Sequence, residues 1–449
     1  MSNQSGASGH ARDPERSAGN TRSILALDEI LNEPIGWQYK AFPAAGQPVL
    51  IREAGTQGWN ALKAPFTTPV MLIKDRALQH NIDAMAEYCT EHDVSLSPHT
   101  KTPLSPQIAE RQLAAGAWAL TVADVHQIRV LRRAGAQRLF VANEIVDDAA
   151  LAWVAQEVTA DPTFELFCLV DSAETATRLD SHLAQANYDR KLPVLVELGI
   201  PGARCGCRTP DEAKALAREV GRLKHLKLAG VEGYENLFPP GTAAETIARV
   251  DDYLQRLCTL VEVLDADGSF SDATEVLVSA GGSMWFDRVA AAGGSLQLTR
   301  PVRTVVRAGA YVTHDAALYQ EFSPLGTRNG GPPVLSQGLE LWASVLSRPE
   351  PDLVILNFGK RDAAHDRGFP IPFATLQAGH ARPLASSDHD VFALSDQHAR
   401  LRVPVDSDLA VGDLVGSHVS HPCTSFDNWR LVPLVDDDYN VISAVRSYL

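Results

Sequence analysis

The stretch FELFCLVDSAETATRLDSHLAQANYDRKLPVLVELG, residues 164–199, contains the pattern on which the fold prediction depends. It begins and ends with apolar runs, FELFCLV (164–170) and PVLVELG (193–199), each about as long as one strand. Between them, Ala173–Ala186 has apolar residues spaced three and four apart, which is the period of an amphipathic helix. Uninterrupted apolar strands that alternate with such helices are typical of a parallel sheet covered by helices.

The same alternation continues in both directions along the chain, and eight apolar runs occur between residues 70 and 282. The runs are VMLIK (70–74), VSLSPHTK (94–101), AWALTVA (117–123), RLFVAN (138–143), FELFCLV (164–170), PVLVELG (193–199), LKLAGVEGY (226–234) and EVLVSAGG (275–282). Eight strand–helix units over roughly 240 residues fit a (β/α)8 barrel better than an open doubly wound sheet, which is the alternative. The sequence therefore predicts an α/β barrel.

The pattern changes past Arg300, where apolar–polar alternation and clusters of Gly, Pro and Asp predict a second, mostly antiparallel β domain. We place the boundary near residue 310. The predicted division is a disordered N-terminal tail over 1–22, an N-terminal extension over 23–67, the barrel over 68–310 and the C-terminal β domain over 311–449.

Composition excludes several classes of protein. The 449 residues are 45% hydrophobic and 21% charged, as in ordinary globular proteins. The formal net charge is −15 and there is no basic run, which argues against nucleic-acid binding. No apolar stretch approaches the ~18 residues of a membrane span, the first residues contain no hydrophobic signal segment, and the six cysteines are too scattered for a disulfide framework. We therefore expect a cytoplasmic protein that binds neither nucleic acid nor membranes.

The active site of such a barrel is built at the C-terminal ends of its strands, and Lys101 ends the second run, in PHTKT. Desolvation at a barrel mouth disfavours the ammonium form of a lysine. The neutral amine is nucleophilic enough to form a Schiff base with an aldehyde. The alternative is an ordinary lysine whose amine extends to the surface.

A second candidate feature is the turn SAGGS (279–283), which follows the eighth run. Its small residues expose consecutive backbone N–H groups, so Gly281, Gly282 and Ser283 would form a phosphate cradle, with tight turning alone as the alternative. A lysine at one strand end and a phosphate cradle at another suggest pyridoxal phosphate, whose aldehyde and phosphate need these two features.

A third candidate feature is the segment SHVSHPCTSFDNWR (417–430), in which one residue separates His421 from Cys423. On an extended strand, both side chains would project to the same face. Imidazole and thiolate suit Zn²⁺, and two protein ligands with open positions suit a catalytic site. A buried cysteine that acts as a small apolar residue is the alternative, and the Cys205-x-Cys207 pair is a weaker metal candidate.

Most of the chain carries segments that together resemble a known family. The segments, from about residue 68 to the C terminus, are TPVMLIKDRALQHNIDAM, PHTKT, RLFVANEIV, VELGIPGARCG, GVEGYE, VSAGGS, RAGAYVTHD and SHPCTSFDNWR. They resemble the pyridoxal-phosphate-dependent family of D-serine dehydratases and D-threonine aldolases, relatives of alanine racemase. The resemblance implies a (β/α)8 barrel with a C-terminal, mostly antiparallel β domain.

The resemblance also implies roles for individual residues. Lys101 would hold pyridoxal phosphate as a Schiff base, and Tyr234 would lie beside the cofactor. The phosphate would contact Gly281, Gly282 and Ser283, and the metal, Zn²⁺, would be bound by His421 and Cys423. Arg204 and Asn143 lie in matching segments without an assigned contact.

The reaction expected from the resemblance is β-elimination, because His-x-Cys resembles the dehydratases and His-x-Asp the aldolases. D-Serine or a related β-hydroxy D-amino acid would then give a 2-oxo acid and ammonia. The alternatives, in order, are retro-aldol cleavage to glycine and an aldehyde, racemisation, and a non-catalytic pyridoxal-phosphate-binding protein. The family further implies a homodimer in which the C-terminal domain of one subunit caps the barrel mouth of the other, although a cap from the same chain would exclude water equally well.

Overall fold

The computed structural model describes residues 23–44, 46–235, 243–326, 328–329, 331, 333–377 and 379–449. The tail predicted to be disordered, 1–22, lies outside the described residues. The N-terminal extension contains helix α1 (Asp28–Leu31), a two-stranded sheet of β1 (Pro34–Ile35) and β2 (Val49–Leu50), and a 3-10 helix (Ile51–Thr56). It packs against both parts of the molecule, since Glu110 accepts hydrogen bonds from the backbone of Ile24 and Leu25, and Glu33 pairs with Arg446.

The next part of the chain alternates strands and helices as predicted. The strands are β3 (Val70–Lys74), β4 (Ser95–Leu96), β5 (Leu120–Val122), β6 (Arg138–Val141), β7 (Glu165–Val170), β8 (Leu192–Leu198), β9 (Leu226–Gly233), β10 (Val276–Ala280) and β11 (Val302–Val306). The helices are α2 (Asp75–Glu91), α3 (Pro106–Ala114), α4 (Val125–Arg133), α5 (Asp148–Ala160), α6 (Ala173–Gln185), α7 (Pro210–Arg222), α8 (Ala243–Ala266) and α9 (Phe286–Gly294). Asp124, Ser172 and Thr209 cap α4, α6 and α7 through their side chains, which fixes where these helices begin.

Eight of these strands form one parallel sheet in the order β4-β11-β10-β9-β8-β7-β6-β5. An isolated parallel bridge between His99 and Thr121 joins the β4 and β5 edges and closes the curled sheet. The strands are mostly apolar because helices cover the outside and side chains fill the inside. The predicted α/β barrel is confirmed.

One strand assignment was wrong. β3, predicted as the first barrel strand, pairs instead with strands of the C-terminal sheet. The eighth barrel strand is β11, which lies within the predicted barrel bounds but was not one of the eight predicted runs. The reason is that β3 is apolar on both faces, as an interior strand of either sheet must be. An apolar run therefore predicts a buried strand without specifying which sheet contains it.

The remaining elements form the C-terminal domain. They are a 3-10 helix (Ala310–Val312), α10 (Leu318–Phe322), β12 (Leu339–Glu350), β13 (Leu353–Leu356), β14 (Ile371–Gln377), β15 (His380–Pro383), β16 (Asp390–Leu394), β17 (Ala399–Arg402), β18 (Leu414–His418), α11 (Pro422–Phe426), β19 (Leu431–Val435) and β20 (Val441–Arg446). All of their described strand pairs are antiparallel except β3 with β19. The predicted mostly antiparallel domain is thus confirmed, and the predicted boundary at residue 310 falls between β11 and β12.

Candidate active site

A cavity of ≈ 260 Å³ lies at the carboxyl ends of the barrel strands, where the fold predicts an active site. Six of the seven residues proposed from sequence line it: Lys101, Tyr234, Gly281, Gly282, Ser283 and Cys423. Arg204 and Asn143, which had no assigned contact, line it as well. The fold thus gathers residues that are more than 300 positions apart in the chain into one wall. Their individual roles stay predictions.

Lys101 sits in a tightly fixed turn after β4. Thr100 bonds the carbonyl of Thr121 through both its backbone N–H and its hydroxyl, and the N–H of Leu104 donates back to Thr100 at 2.7 Å. Burial lowers the pKa of the Lys101 amine, and the charges of Arg204 and Arg307 lower it further against the opposing charge of Cys423. A lowered pKa increases the share of the neutral, nucleophilic form relative to an ordinary lysine, in the direction that the sequence predicts.

His99, two residues before Lys101, also lines the cavity and was not proposed from sequence. Burial, with the charges of Lys101, Arg307 and Arg204, holds the pKa of His99 well below its usual range, so the imidazole is neutral. Its Nδ1 is buried without a hydrogen-bond partner among the described residues. A neutral ring with an unpaired nitrogen is suited to contact a bound molecule.

In the glycine turn, two backbone N–H groups donate hydrogen bonds to the same carboxylate. Gly281 has a φ of +99°, and a side chain at Gly282 would place its Cβ 3.4 Å from the Tyr234 ring. The N–H groups of both glycines donate to the buried carboxylate of Glu235, at 2.7 and 2.8 Å. The turn therefore binds an anionic group, as a phosphate cradle must, but these two amides reach a phosphate only if Glu235 moves.

Arg204 supplies positive charge beside this turn. Its guanidinium lies over the Tyr234 ring, 4.4 Å from the centroid, and its Nε is 4.0 Å from the nearest oxygen of Glu197. Asn143 donates to the carbonyl of Ala123 at 3.1 Å. The cavity wall thus contains a stacked guanidinium, which is suited to a carboxylate or phosphate.

Arg307 forms a buried ionic network beside the cavity, at the end of β11. It donates to the carboxylate of Glu232, the hydroxyl of Ser279 and the carbonyl of Gly233. Burial raises the pKa of Glu232 to about 7, although the Arg307 charge opposes the shift. This pair fixes the ends of three adjacent strands, β9, β10 and β11.

Cys205 and Cys207, the weaker metal candidate from the sequence, contact different groups in the structure. Cys207 donates to the carbonyl of Asp171 at 3.2 Å, whereas Cys205 meets Glu144 and Glu197, with potential ligand atoms within 4.8 Å of one another. Burial raises the pKa of Glu197 to about 8, and a hydrogen bond with Glu144 adds to the shift. The raised pKa favours the protonated form of Glu197 near neutral pH, which weakens it as a cation ligand.

His421 and Cys423 meet, but not by the geometry expected from sequence. They do not lie on one strand, since His421 is the extended residue that precedes α11 and Cys423 lies in the first turn of that helix. The His421 ring hydrogen-bonds Cys423 and also approaches Asp366, with Nδ1 and Oδ2 2.7 Å apart. Burial lowers the pKa of His421, but Cys423 and Asp366 outweigh it and raise the pKa to about 9.

Cys423 connects this pair to the lysine turn of the same chain. Its Sγ is 3.2 Å from the hydroxyl oxygen of Thr102, the residue after Lys101. Tyr319 lines the cavity and its ring centroid lies 6.4 Å from that of His421. One chain therefore brings the lysine and the imidazole–thiol pair together.

The residues present fit both groups suggested by the sequence. For pyridoxal phosphate, the cavity offers the Lys101 amine, a turn that binds an anion, the Arg204 guanidinium and the unpaired Nδ1 of His99. For Zn²⁺, it offers a thiol and an imidazole whose Nδ1 faces a carboxylate, which leaves Nε2 for a metal.

Comparison with known families identifies the chain. The family model described as "Alanine racemase, N-terminal domain" matches residues 73–312, more than half of the chain. The model described as "Putative serine dehydratase domain" matches residues 338–435. The chain belongs to the alanine racemase-like family that includes the D-serine dehydratases and D-threonine aldolases. The resemblance inferred from the sequence is confirmed.

Three members of this alanine racemase-like family illustrate the similarity. A D-threonine aldolase from an Arthrobacter species is 28% identical over 362 residues, which cover 79% of this chain and 86% of that protein. The crystal structure of a D-threonine aldolase from Filomicrobium marinum has a TM-score of 0.71 at 23% identity, over 85% of this chain and 95% of that one. D-threo-3-hydroxyaspartate dehydratase from Delftia sp. HT23 has a TM-score of 0.64 at 19% identity, over 85% and 98% of the two chains. The two structures share the fold with this chain.

Sequence reasoning missed several residues of this alanine racemase-like site: His99, Glu235, Arg307, Tyr319 and Asp366. His99 and Glu235 lie within motifs that were recognised, PHTKT and GVEGYE, so their position at strand ends was a usable signal. Asp366 lies in a loop without a recognised motif. Separately, none of the described helices is both long enough and apolar enough to cross a membrane.

Proposed function

We propose that the protein is a cytoplasmic lyase dependent on pyridoxal phosphate and Zn²⁺ that converts D-serine or a related β-hydroxy D-amino acid to a 2-oxo acid and ammonia. Water is eliminated first and is taken up again when the resulting imine is hydrolysed. The observation that carries the proposal is the contact between Thr102 and Cys423, 3.2 Å between Oγ1 and Sγ. It places the proposed metal thiol beside the proposed cofactor lysine in one cavity. Family membership supports a pyridoxal-phosphate-dependent enzyme acting on D-amino acids.

The residues of the chain would divide the work between two ends of the substrate. Bound pyridoxal phosphate supplies electron withdrawal from the bonds at Cα, and bound Zn²⁺ supplies Lewis-acid stabilisation of a departing hydroxide. Lys101, whose pKa is lowered, is suited to hold the cofactor and to accept a proton at its Nζ. Arg204 is suited to bind the substrate carboxylate.

Retro-aldol cleavage is the second candidate, because two of the similar proteins are named D-threonine aldolase. The choice of elimination rests on Cys423, the residue at which the sequence resembles the dehydratases, and the dehydratase from Delftia has a similar fold. A racemase would leave the imidazole–thiol pair without a function. A non-catalytic carrier of the cofactor would need neither that pair nor the C-terminal domain that supplies it.

Product analysis separates these candidates. We expect D-serine, D-threonine or D-threo-3-hydroxyaspartate to release ammonia and a 2-oxo acid in equal amounts, and the L-isomers to release neither. The measurement is a panel of β-hydroxy amino acids incubated with the cofactor-loaded, Zn²⁺-loaded enzyme, with ammonia, 2-oxo acids, glycine and aldehydes quantified together.

The other outcomes each identify a different function. Glycine and an aldehyde as the main products would replace elimination by retro-aldol cleavage. Interconversion of D- and L-isomers without ammonia would indicate a racemase. Bound cofactor with no reaction of any substrate in the panel would contradict an enzyme of this class.

We propose a homodimer as the quaternary structure, in which each subunit contains a complete catalytic site. Because Cys423 and Lys101 line the same cavity of one chain, we expect each catalytic site to be built within one chain. Mixed dimers of inactive Lys101→Ala and inactive His421→Ala chains should therefore recover no activity. Recovery would contradict this expectation, because it requires one site to combine Lys101 of one subunit with the partner subunit's His421. Subunit exchange is verified with two differently tagged chains.

A further inference from the structure

We propose that Asp366 is a positioning residue that orients His421 and reserves its Nε2 for the metal. The inference rests on the proposed function, in which His421 and Cys423 bind a metal. Asp366 lies in the loop between β13 and β14, more than 50 residues before His421 in the chain. The sequence around the proposed metal pair gives no indication that Asp366 lies beside it.

The hydrogen bond between the two side chains fixes the tautomer of the histidine. Asp366 Oδ2 is 2.7 Å from His421 Nδ1. The carboxyl group of an aspartate is ordinarily ionised at neutral pH. An ionised carboxylate only accepts hydrogen bonds, so the proton must be on Nδ1. In the neutral ring this leaves the lone pair on Nε2, which is the atom that can bind a metal.

The carboxylate itself is held in place. The hydroxyl of Thr424 donates to its other oxygen, Oδ1, at 2.9 Å. Both oxygens of Asp366 are therefore bonded to α11 or to the residue that precedes it. A carboxylate fixed at both oxygens restricts the rotation of the imidazole that it contacts.

The loop that carries Asp366 is attached to the metal-binding segment at three further points. The indole N–H of Trp429 donates to the carbonyl of Asp362 at 2.8 Å, and the hydroxyl of Ser420 donates to the carbonyl of Gly368 at 2.7 Å. The N–H of Ala364 donates to the hydroxyl of Ser425 at 3.3 Å. These bonds lie on both sides of Asp366 and of His421 in the chain, so they fix the position of one side chain relative to the other.

The alternative is a general electrostatic role, in which any negative charge near His421 would raise the affinity of the site for a cation. Asp427 provides the comparison, because it is exposed and its charge acts on His421, yet no hydrogen bond joins the two side chains among the described contacts. If Asp366 acts by positioning His421, only its removal should lower the metal affinity strongly. If it acts by charge alone, removing Asp366 or Asp427 should lower the metal affinity by similar amounts.

Metal affinity is the readout that separates the two roles. The full-length, cofactor-loaded protein is stripped of metal and titrated with Co²⁺, and the thiolate-to-cobalt absorption is followed. We expect Asp366→Ala to weaken binding by roughly 10- to 100-fold, the usual effect of removing a partner behind a ligating histidine. Asp366→Asn should recover much of the affinity, because its amide oxygen still accepts from Nδ1–H. Asp427→Ala should change the affinity little.

Each contrary result has a distinct meaning. Unchanged affinity in a folded Asp366→Ala protein would overturn the positioning role, and so would an Asp366→Asn protein as weak as Asp366→Ala or an Asp427→Ala protein weakened equally. Thermal unfolding of the metal-free proteins checks that each variant is folded. Cys423→Ala tests the proposed site itself. If that variant binds Co²⁺ as tightly as the unsubstituted protein, the metal site proposed above fails, whatever Asp366 does.

Discussion

Replacing Lys101 with Ala is expected to eliminate covalently held pyridoxal phosphate. It should also lower turnover by more than the roughly 10²- to 10⁴-fold that a positioned acid–base group alone contributes. The physical reason is that Lys101 supplies the amine at the barrel mouth for both the covalent link and proton transfer, and its lowered pKa increases the share of the neutral form. No second lysine lines the cavity among the described residues.

Two spectroscopic and chemical measurements check this prediction. The visible absorption of a lysine-linked cofactor should be present in the unsubstituted protein and absent in Lys101→Ala. Borohydride reduction followed by peptide mass spectrometry should place the label on Lys101. Lys101→Arg keeps the positive charge but cannot form the link, so it should fail in the same way, whereas Lys63→Ala, which alters an exposed lysine, should retain both label and activity. A label on another lysine, or a persistent band in Lys101→Ala, would contradict the assignment.

The barrel was predictable because strand and helix periods are local properties of the sequence. A stretch such as 164–199 shows both, and its elements occur as β7, α6 and β8. Sheet membership was not predictable, since β3 is buried by contacts with β12 and β19, more than 260 residues away. The local sequence pattern predicts that a strand is buried. It does not predict which strands bury it, because that depends on the fold of the whole chain.

In the candidate site, too, the features set by local sequence were predictable, whereas the contacts between distant segments were not. Lys101 and the glycine turn were found because each stands where an apolar run ends, and in a parallel barrel those ends converge. Glu235, which bonds both glycine amides, and Asp366, which bonds His421, act through contacts between separate segments. The local geometry predicted for His421 and Cys423 was wrong, because Cys423 lies in the first turn of α11 and does not share an extended strand with His421.

The second large effect is expected from the imidazole–thiol pair. His421→Ala or Cys423→Ala should lower ammonia release from the preferred β-hydroxy D-amino acid by on the order of 10²-fold, which corresponds to losing about 3 kcal/mol of Lewis-acid stabilisation in the transition state. The cofactor absorption should remain, because Lys101 and the glycine turn are unchanged. The loss of activity with retained cofactor distinguishes this defect from that of Lys101→Ala.

Chelation provides an independent test of the same effect. Treating the unsubstituted enzyme with a chelator should reproduce the loss, and adding Zn²⁺ should restore activity to that enzyme but not to His421→Ala. His398→Ala is the matched control, because His398 is an exposed histidine of the same domain next to β17. Full elimination activity in chelated enzyme and in both ligand variants would show that the pair does not act on the substrate. Since Cys423 lies 3.2 Å from Thr102 in the cavity wall, such a result would leave the pair as a packing contact between the two domains.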